Sequence, residues 1–123
     1  MEGLRVLIVD DLPFMRVAIK DALSGTPYAV IAEAENGIQG VERYQEYRPD
    51  VVLLDIVMPV LDGLSALKRI RRLDPRSNVI MCSALGEQAM ILRAIQLGAR
   101  DFIVKPFQPS RVVSALAKVA AHP

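Results

Sequence analysis

Five short aliphatic runs alternate with five amphipathic stretches, and this alternation restricts the fold more than any other feature of the chain. The runs are RVLIV (5–9), AVIAEA (29–34), VVLL (51–54), NVIMC (78–82) and DFIV (101–104). Four are dense in Val, Ile and Leu without alternation, as in strands covered on both faces. The second carries Glu33 and is followed by Glu35, which suits a sheet edge, where charge discourages stray pairing. The intervening stretches place apolar residues at helical spacing: Met15, Ala18, Ile19, Ala22 and Leu23 in 12–24; Ile38, Val41 and Tyr44 in 37–48; Leu64, Leu67 and Ile70 in 63–73; Met90, Ile91, Ala94 and Ile95 in 87–97. A last helix starts near Pro109 and buries Val112, Leu116 and Val119. Gly25, Pro49, Asp74-Pro75 and Gly98 punctuate the pattern. Such a (βα)5 order predicts an α/β fold, a doubly wound, five-stranded parallel sheet with right-handed crossovers.

The chain has 123 residues, the size of one domain, and 52% hydrophobic residues, enough for a packed core. A net charge of +1 gives no global field toward nucleic acid or anionic lipid. The KRIRR cluster (68–72) reads as the solvated face of the third helix. Cys82 is the only cysteine and His122 the only histidine, so neither an internal disulfide nor a Cys/His metal cluster is expected. Cys82 reads as a small packed side chain and His122 as exposed. Without a signal-peptide pattern or a long apolar run, a cytoplasmic protein not inserted in a membrane is expected.

In doubly wound sheets, function gathers beyond the carboxyl ends of the strands. Just past the runs come Asp10 and Asp11, then Asp55, then Ser83 and Ala84, then Lys105 and Pro106. Three carboxylates, one hydroxyl and one ammonium would share a shallow pocket. Carboxylates so close repel, and one lysine offsets only one charge. A divalent cation is the simplest remedy, and an all-oxygen set suits Mg²⁺ rather than zinc. With a cation and Lys105 present, the pocket suits a phosphoryl group, and a carboxylate can attack phosphorus to give an aspartyl-phosphate. Ser83 could donate to a phosphoryl oxygen, while the small Ala84 leaves room for the group.

Other roles compete for some of these residues. Asp11 is suited to capping the first helix as well as to the acid pair. Asp62-Gly63 reads as a turn and helix start, Met58-Pro59 as the loop that presents Asp55, and Pro106 as a residue that permits a cis peptide aiming Lys105 inward.

The motifs LIVDD, DIVMPVLDG, CSA and DFIVKPF together resemble the receiver domains of two-component response regulators along nearly the whole chain. Within that family the likeness is strongest to single-domain chemotaxis regulators, above all over residues 82–116. The resemblance implies one receiver domain over residues 1–123 with a flavodoxin-like strand order 2-1-3-4-5. It also implies that Asp55 accepts a phosphoryl group from a sensor histidine kinase. Asp10, Asp11, Asp55 and the Val57 backbone carbonyl would hold Mg²⁺, with Lys105 and Ser83 on the phosphoryl group. Phe102 would be an aromatic switch, and residues 87–107 with the last helix would meet a flagellar motor switch protein. The same resemblance leaves room for a dedicated phosphatase and gives no direct contact with nucleic acid. Val57 and Leu85 flank the route of hydrolytic water and are expected to alter how long the phosphoryl group survives. Rival readings are the receiver part of a transcriptional regulator or methylesterase, and a phosphohydrolase, although phosphohydrolases want acids two apart after the first strand. A nucleotide- or flavin-binding module lacks its glycines in DDLPFM, and a serine hydrolase lacks G-x-S-x-G around Ser83.

Overall fold

The computed structural model describes residues 3–123. Five strands and five helices alternate: β1 Arg5–Val9, α1 Pro13–Leu23, β2 Ala29–Ala34, α2 Gly37–Tyr47, β3 Val51–Asp55, α3 Gly63–Leu73, β4 Val79–Ala84, α4 Gln88–Gln96, β5 Asp101–Lys105 and α5 Pro109–Ala121. All strand pairs are parallel, in the order β2-β1-β3-β4-β5. The charged second run is an edge strand, as its glutamates suggested.

Side-chain alternation divides the sheet into two apolar layers. Val6, Ile8, Val51, Leu53, Ile80, Cys82 and Ile103 face α1 and α5, meeting Ile19, Leu23, Val112, Leu116 and Val119. Leu7, Val9, Val52, Leu54, Val79 and Met81 face the other way, toward Tyr44 of α2, Leu67 and Ile70 of α3, and Ile91 and Ala94 of α4. Every residue of β3 is buried. Such a strand reads as continuous apolar sequence because both its faces are covered, and each large aliphatic side chain removed from water contributes about 1.5–3 kcal/mol.

Two expectations change here. β5 is the second edge, and its Phe102 is 37% exposed, so its density of apolar residues does not mean cover on both faces. On α4 only Ile91 and Ala94 are buried; Met90 and Ile95 stand in solvent, because α4 touches the sheet along a narrow stripe. Cys82 and His122 lie as read from the sequence, buried and exposed respectively. In KRIRR, Lys68, Arg69 and Arg72 are exposed, Ile70 is buried, and Arg71 turns inward to donate to the Ser77 carbonyl at 2.8 Å.

At the amino ends of the strands, polar groups are tied to one another. The Arg5 N–H donates to Asp50 at 2.8 Å and its guanidinium to the carbonyls of Tyr47 and Arg48. Arg100 donates to Asn78 at 2.8 Å. The Tyr44 hydroxyl donates to Asp74 at 2.8 Å. Burial, then that bond, pushes the Tyr44 hydroxyl well above its usual range, while the same bond holds Asp74 low.

Candidate functional site

The strand parity that builds the core also builds the site at the opposite, carboxyl end. Asp10 continues the row Val6–Ile8, Asp55 the row Val51–Leu53, and Lys105 follows Ile103, so three charged side chains leave the same face of the sheet. The Lys105 ammonium lies 2.9 Å from Asp10 Oδ2 and 3.3 Å from Asp55 Oδ1. Asp10, Asp11 and Asp55 each offer a carboxylate oxygen within 4.8 Å of the others. The Lys105–Pro106 bond is cis.

Asp55, Ser83, Ala84 and Lys105 are not beyond the strands, as the sequence suggested, but are their last one or two residues. The ladders run one step further because backbone partners continue: Asp55 pairs with Cys82, Ala84 with Lys105, and the Ile56 N–H still donates to the Cys82 carbonyl. Asp10, Asp11 and Pro106 do lie past their strands. Asp11 does not cap α1. The cap position is Leu12, without a side-chain bond, and Asp10 Oδ1 accepts from the Leu12 N–H at 2.9 Å instead. Asp62, in contrast, caps α3 by accepting from the Ser65 N–H at 2.9 Å.

Asp55 is 7% exposed. Burial pushes its carboxyl up to about 6, with the charges of Asp10 and Asp11 adding to the effect and Lys105 opposing it. For Lys105, burial pulls the ammonium down, but the hydrogen bond to Asp10 and the charges of Asp55 and Asp10 outweigh it and leave it above its ordinary value. The carboxylates thus stay partly uncompensated, and an all-oxygen set of three acids fits a hard divalent cation such as Mg²⁺.

This strain has a measurable sign. A carboxyl whose folded pKa is raised from 3.8 to about 6 favours the fold below pH 4 and loses that contribution as pH rises through 6. In chelator-treated protein, Asp55→Asn should therefore be more stable than the parent by about 3 kcal/mol at pH 8 and nearly equal at pH 4. Urea unfolding at the two pH values checks it; a gap independent of pH would remove burial of the Asp55 charge as its cause.

Ser83 is fully buried, and its Oγ has no hydrogen-bond partner among the described residues. A buried hydroxyl normally finds one, so a donor is held in reserve at the end of β4. Val57 and Pro59 are exposed in the loop after β3, and Pro59 accepts from the Leu61 N–H at 2.8 Å. Gly63 closes that loop, donating to the Ile56 carbonyl at 2.7 Å. Phe102 sits three residues before Lys105 and is not brought into the charged cluster. Two contacts escaped the sequence reading: Arg16 donates to the Asp10 carbonyl at 2.6 Å, and Glu87 accepts from the Ala84 N–H at 2.7 Å. No sequence motif marks either, since each depends on a side chain folding back from a neighbouring helix or turn.

Residues 6–117 match the response regulator receiver domain. The chain is 55% identical to the chemotaxis protein CheY of Thermotoga maritima over 118 residues, 96% of this chain and 98% of that one. It is 56% identical to CheY of Bacillus subtilis over 93% of this chain and 95% of that one. Among solved structures, a CheX–CheY–BeF3–Mg²⁺ complex from Borrelia burgdorferi aligns with a TM-score of 0.90 at 34% identity, covering 95% of this chain and 89% of that one. The chain therefore belongs to the response regulator receiver family, and within it is a phosphorylation-activated signalling protein of the CheY type. Among the described residues, no helix is long and apolar enough to cross a membrane.

Proposed function

We propose that Asp55 is the phosphoryl acceptor and that residues 1–123 act as one receiver domain in chemotaxis signalling. One observation carries this most directly: Lys105 bridges Asp10 and Asp55 beside a third carboxylate, so charge of both signs converges on one nucleophile. An Asp55 oxygen attacks phosphorus on a phosphohistidine of a sensor kinase. The new O–P bond forms as the N–P bond breaks, and its electron pair stays on the imidazole, which then takes a proton from solvent. Lys105 offsets charge on the transferring oxygens, and Ser83, with its unused hydroxyl, donates to one of them. Ala84 leaves room beside it. Asp10, Asp11, Asp55 and the Val57 carbonyl would hold Mg²⁺, which when bound supplies positive charge for carboxylate and phosphoryl oxygens alike.

The output is docking on a flagellar motor switch protein through residues 87–107 and α5. Leu85, Met90, Leu92, Ile95 and Phe102 are all exposed in or beside that stretch and support such a face. Phe102 acts as the aromatic switch, moving as Ser83 is drawn to the phosphoryl group. A dedicated phosphatase belongs to the same reading, as do action in the cytoplasm and no direct contact with nucleic acid.

Incubation with Mg²⁺ and acetyl phosphate should give a mass gain of one phosphoryl group, abolished in Asp55→Asn. A gain that survives the substitution, or none in the parent, would refute the assignment.

A further inference from the structure

The turn after β4 holds a side-chain contact on a backbone donor that faces the end of β3. The N–H and C=O of one strand residue point to the same side, and the side alternates along the strand. The Cys82 carbonyl accepts from the Ile56 N–H on β3. Two residues on, the Ala84 N–H therefore also aims toward β3, across the strand end that carries Asp55. Its ladder acceptor there would be the Ile56 carbonyl, but that oxygen is taken by the Gly63 N–H at 2.7 Å. A backbone donor is thus left pointing at the end of β3.

What fills it is an anion from the same chain. Glu87 Oε1 accepts from the Ala84 N–H at 2.7 Å, while the Glu87 N–H returns to the Ala84 carbonyl at 3.4 Å. The two bonds close the turn Ala84–Leu85–Gly86–Glu87, which Gly86 permits with φ +93. Glu87 occupies the cap position of α4 yet makes no capping bond to that helix, so its carboxylate is committed to Ala84. Ser83, immediately before, has a hydroxyl without a partner among the described residues.

We propose that Glu87 is an internal competitor for the phosphoryl group: its carboxylate holds the Ala84 N–H in the resting protein, and a phosphoryl oxygen on Asp55 displaces it. The inference rests on Asp55 being the acceptor. Release would free Glu87 and loosen the turn that begins α4, so arrival of the phosphoryl group is read at once by the helix bearing Met90, Leu92 and Ile95. The resting latch slows phosphorylation because an incoming anion meets a carboxylate already on its donor.

The test compares acetyl phosphate labelling of the parent, Glu87→Ala and Glu87→Gln by mass spectrometry, with amide exchange at Ala84 followed by NMR. Glu87→Ala is expected to be labelled faster, on the order of fivefold, with Glu87→Gln between it and the parent because the amide oxygen still accepts. The Ala84 amide should exchange faster in Glu87→Ala and regain protection on adding Mg²⁺ with beryllium fluoride. Equal labelling rates in the three proteins, or Ala84 exchange unchanged by Glu87→Ala, overturns the latch alone. A parent that takes no phosphoryl group overturns the acceptor assignment and the latch together, so the two failures are told apart.

Discussion

Replacing Lys105 by methionine is expected to slow labelling of Asp55 by acetyl phosphate on the order of 100-fold. Methionine keeps the length and the apolar stem of the side chain but removes the ammonium that lies 2.9 Å from Asp10 and 3.3 Å from Asp55. Two effects then act together. The transferring oxygens lose a fixed positive charge in a site largely shielded from water, where such a charge acts more strongly than in bulk. In the metal-free protein the Asp55 carboxyl also loses its main opposing influence, so its pKa moves further up. The second effect predicts that the Asp55 carboxyl of chelator-treated Lys105→Met titrates above that of the parent. A time course of mass gain reads the first effect, and an NMR titration of the chelator-treated proteins reads the second. A rate within a few-fold of the parent would mean that Lys105 serves only to hold the acids together.

Gly63→Ala is expected to cost about 3 kcal/mol of folding stability, the upper part of the range for overpacked sites. A Cβ at Gly63 would lie 2.1 Å from the Asp55 carbonyl oxygen and 2.7 Å from the Ile56 Cα. Both are backbone atoms and cannot rotate away, so either α3 or the end of β3 must move. If β3 moves, Asp55 moves with it, and labelling should fall along with stability. Denaturant unfolding combined with labelling checks this; a variant as stable as the parent would show that the loop 56–62 has slack.

Much of this molecule was legible in its sequence for identifiable reasons. A strand buried on both faces must be continuously apolar, so VVLL marked β3 and its one terminal carboxylate stood out. Parallel strands put their carboxyl ends at one edge, so the order of the runs alone grouped Asp10, Asp55 and Lys105. The exposed flank of α4 was not legible, because Met90 and Ile95 obey the same helical spacing as Ile91 and Ala94. Periodicity reports which residues share a side, not how wide a stripe the sheet covers. Asp11 misled as a helix cap because Asp10 was available to bond the same turn. Glu87 was invisible for a related reason: a side chain that folds back onto a backbone N–H leaves no spacing rule behind.

The two ends of the sheet differ in how their polar groups are spent. Strands of about five residues separate the ends by roughly 16 Å. At the carboxyl end, two of three clustered acids pair with one lysine, and a buried hydroxyl has no partner among the described residues. At the amino end, Arg5 with Asp50, Tyr44 with Asp74, and Arg100 with Asn78 are matched pair by pair. Changes at that amino end can therefore set how long the folded molecule persists while leaving the timing of its signal untouched. Durability and tempo can be adjusted separately within one small sheet.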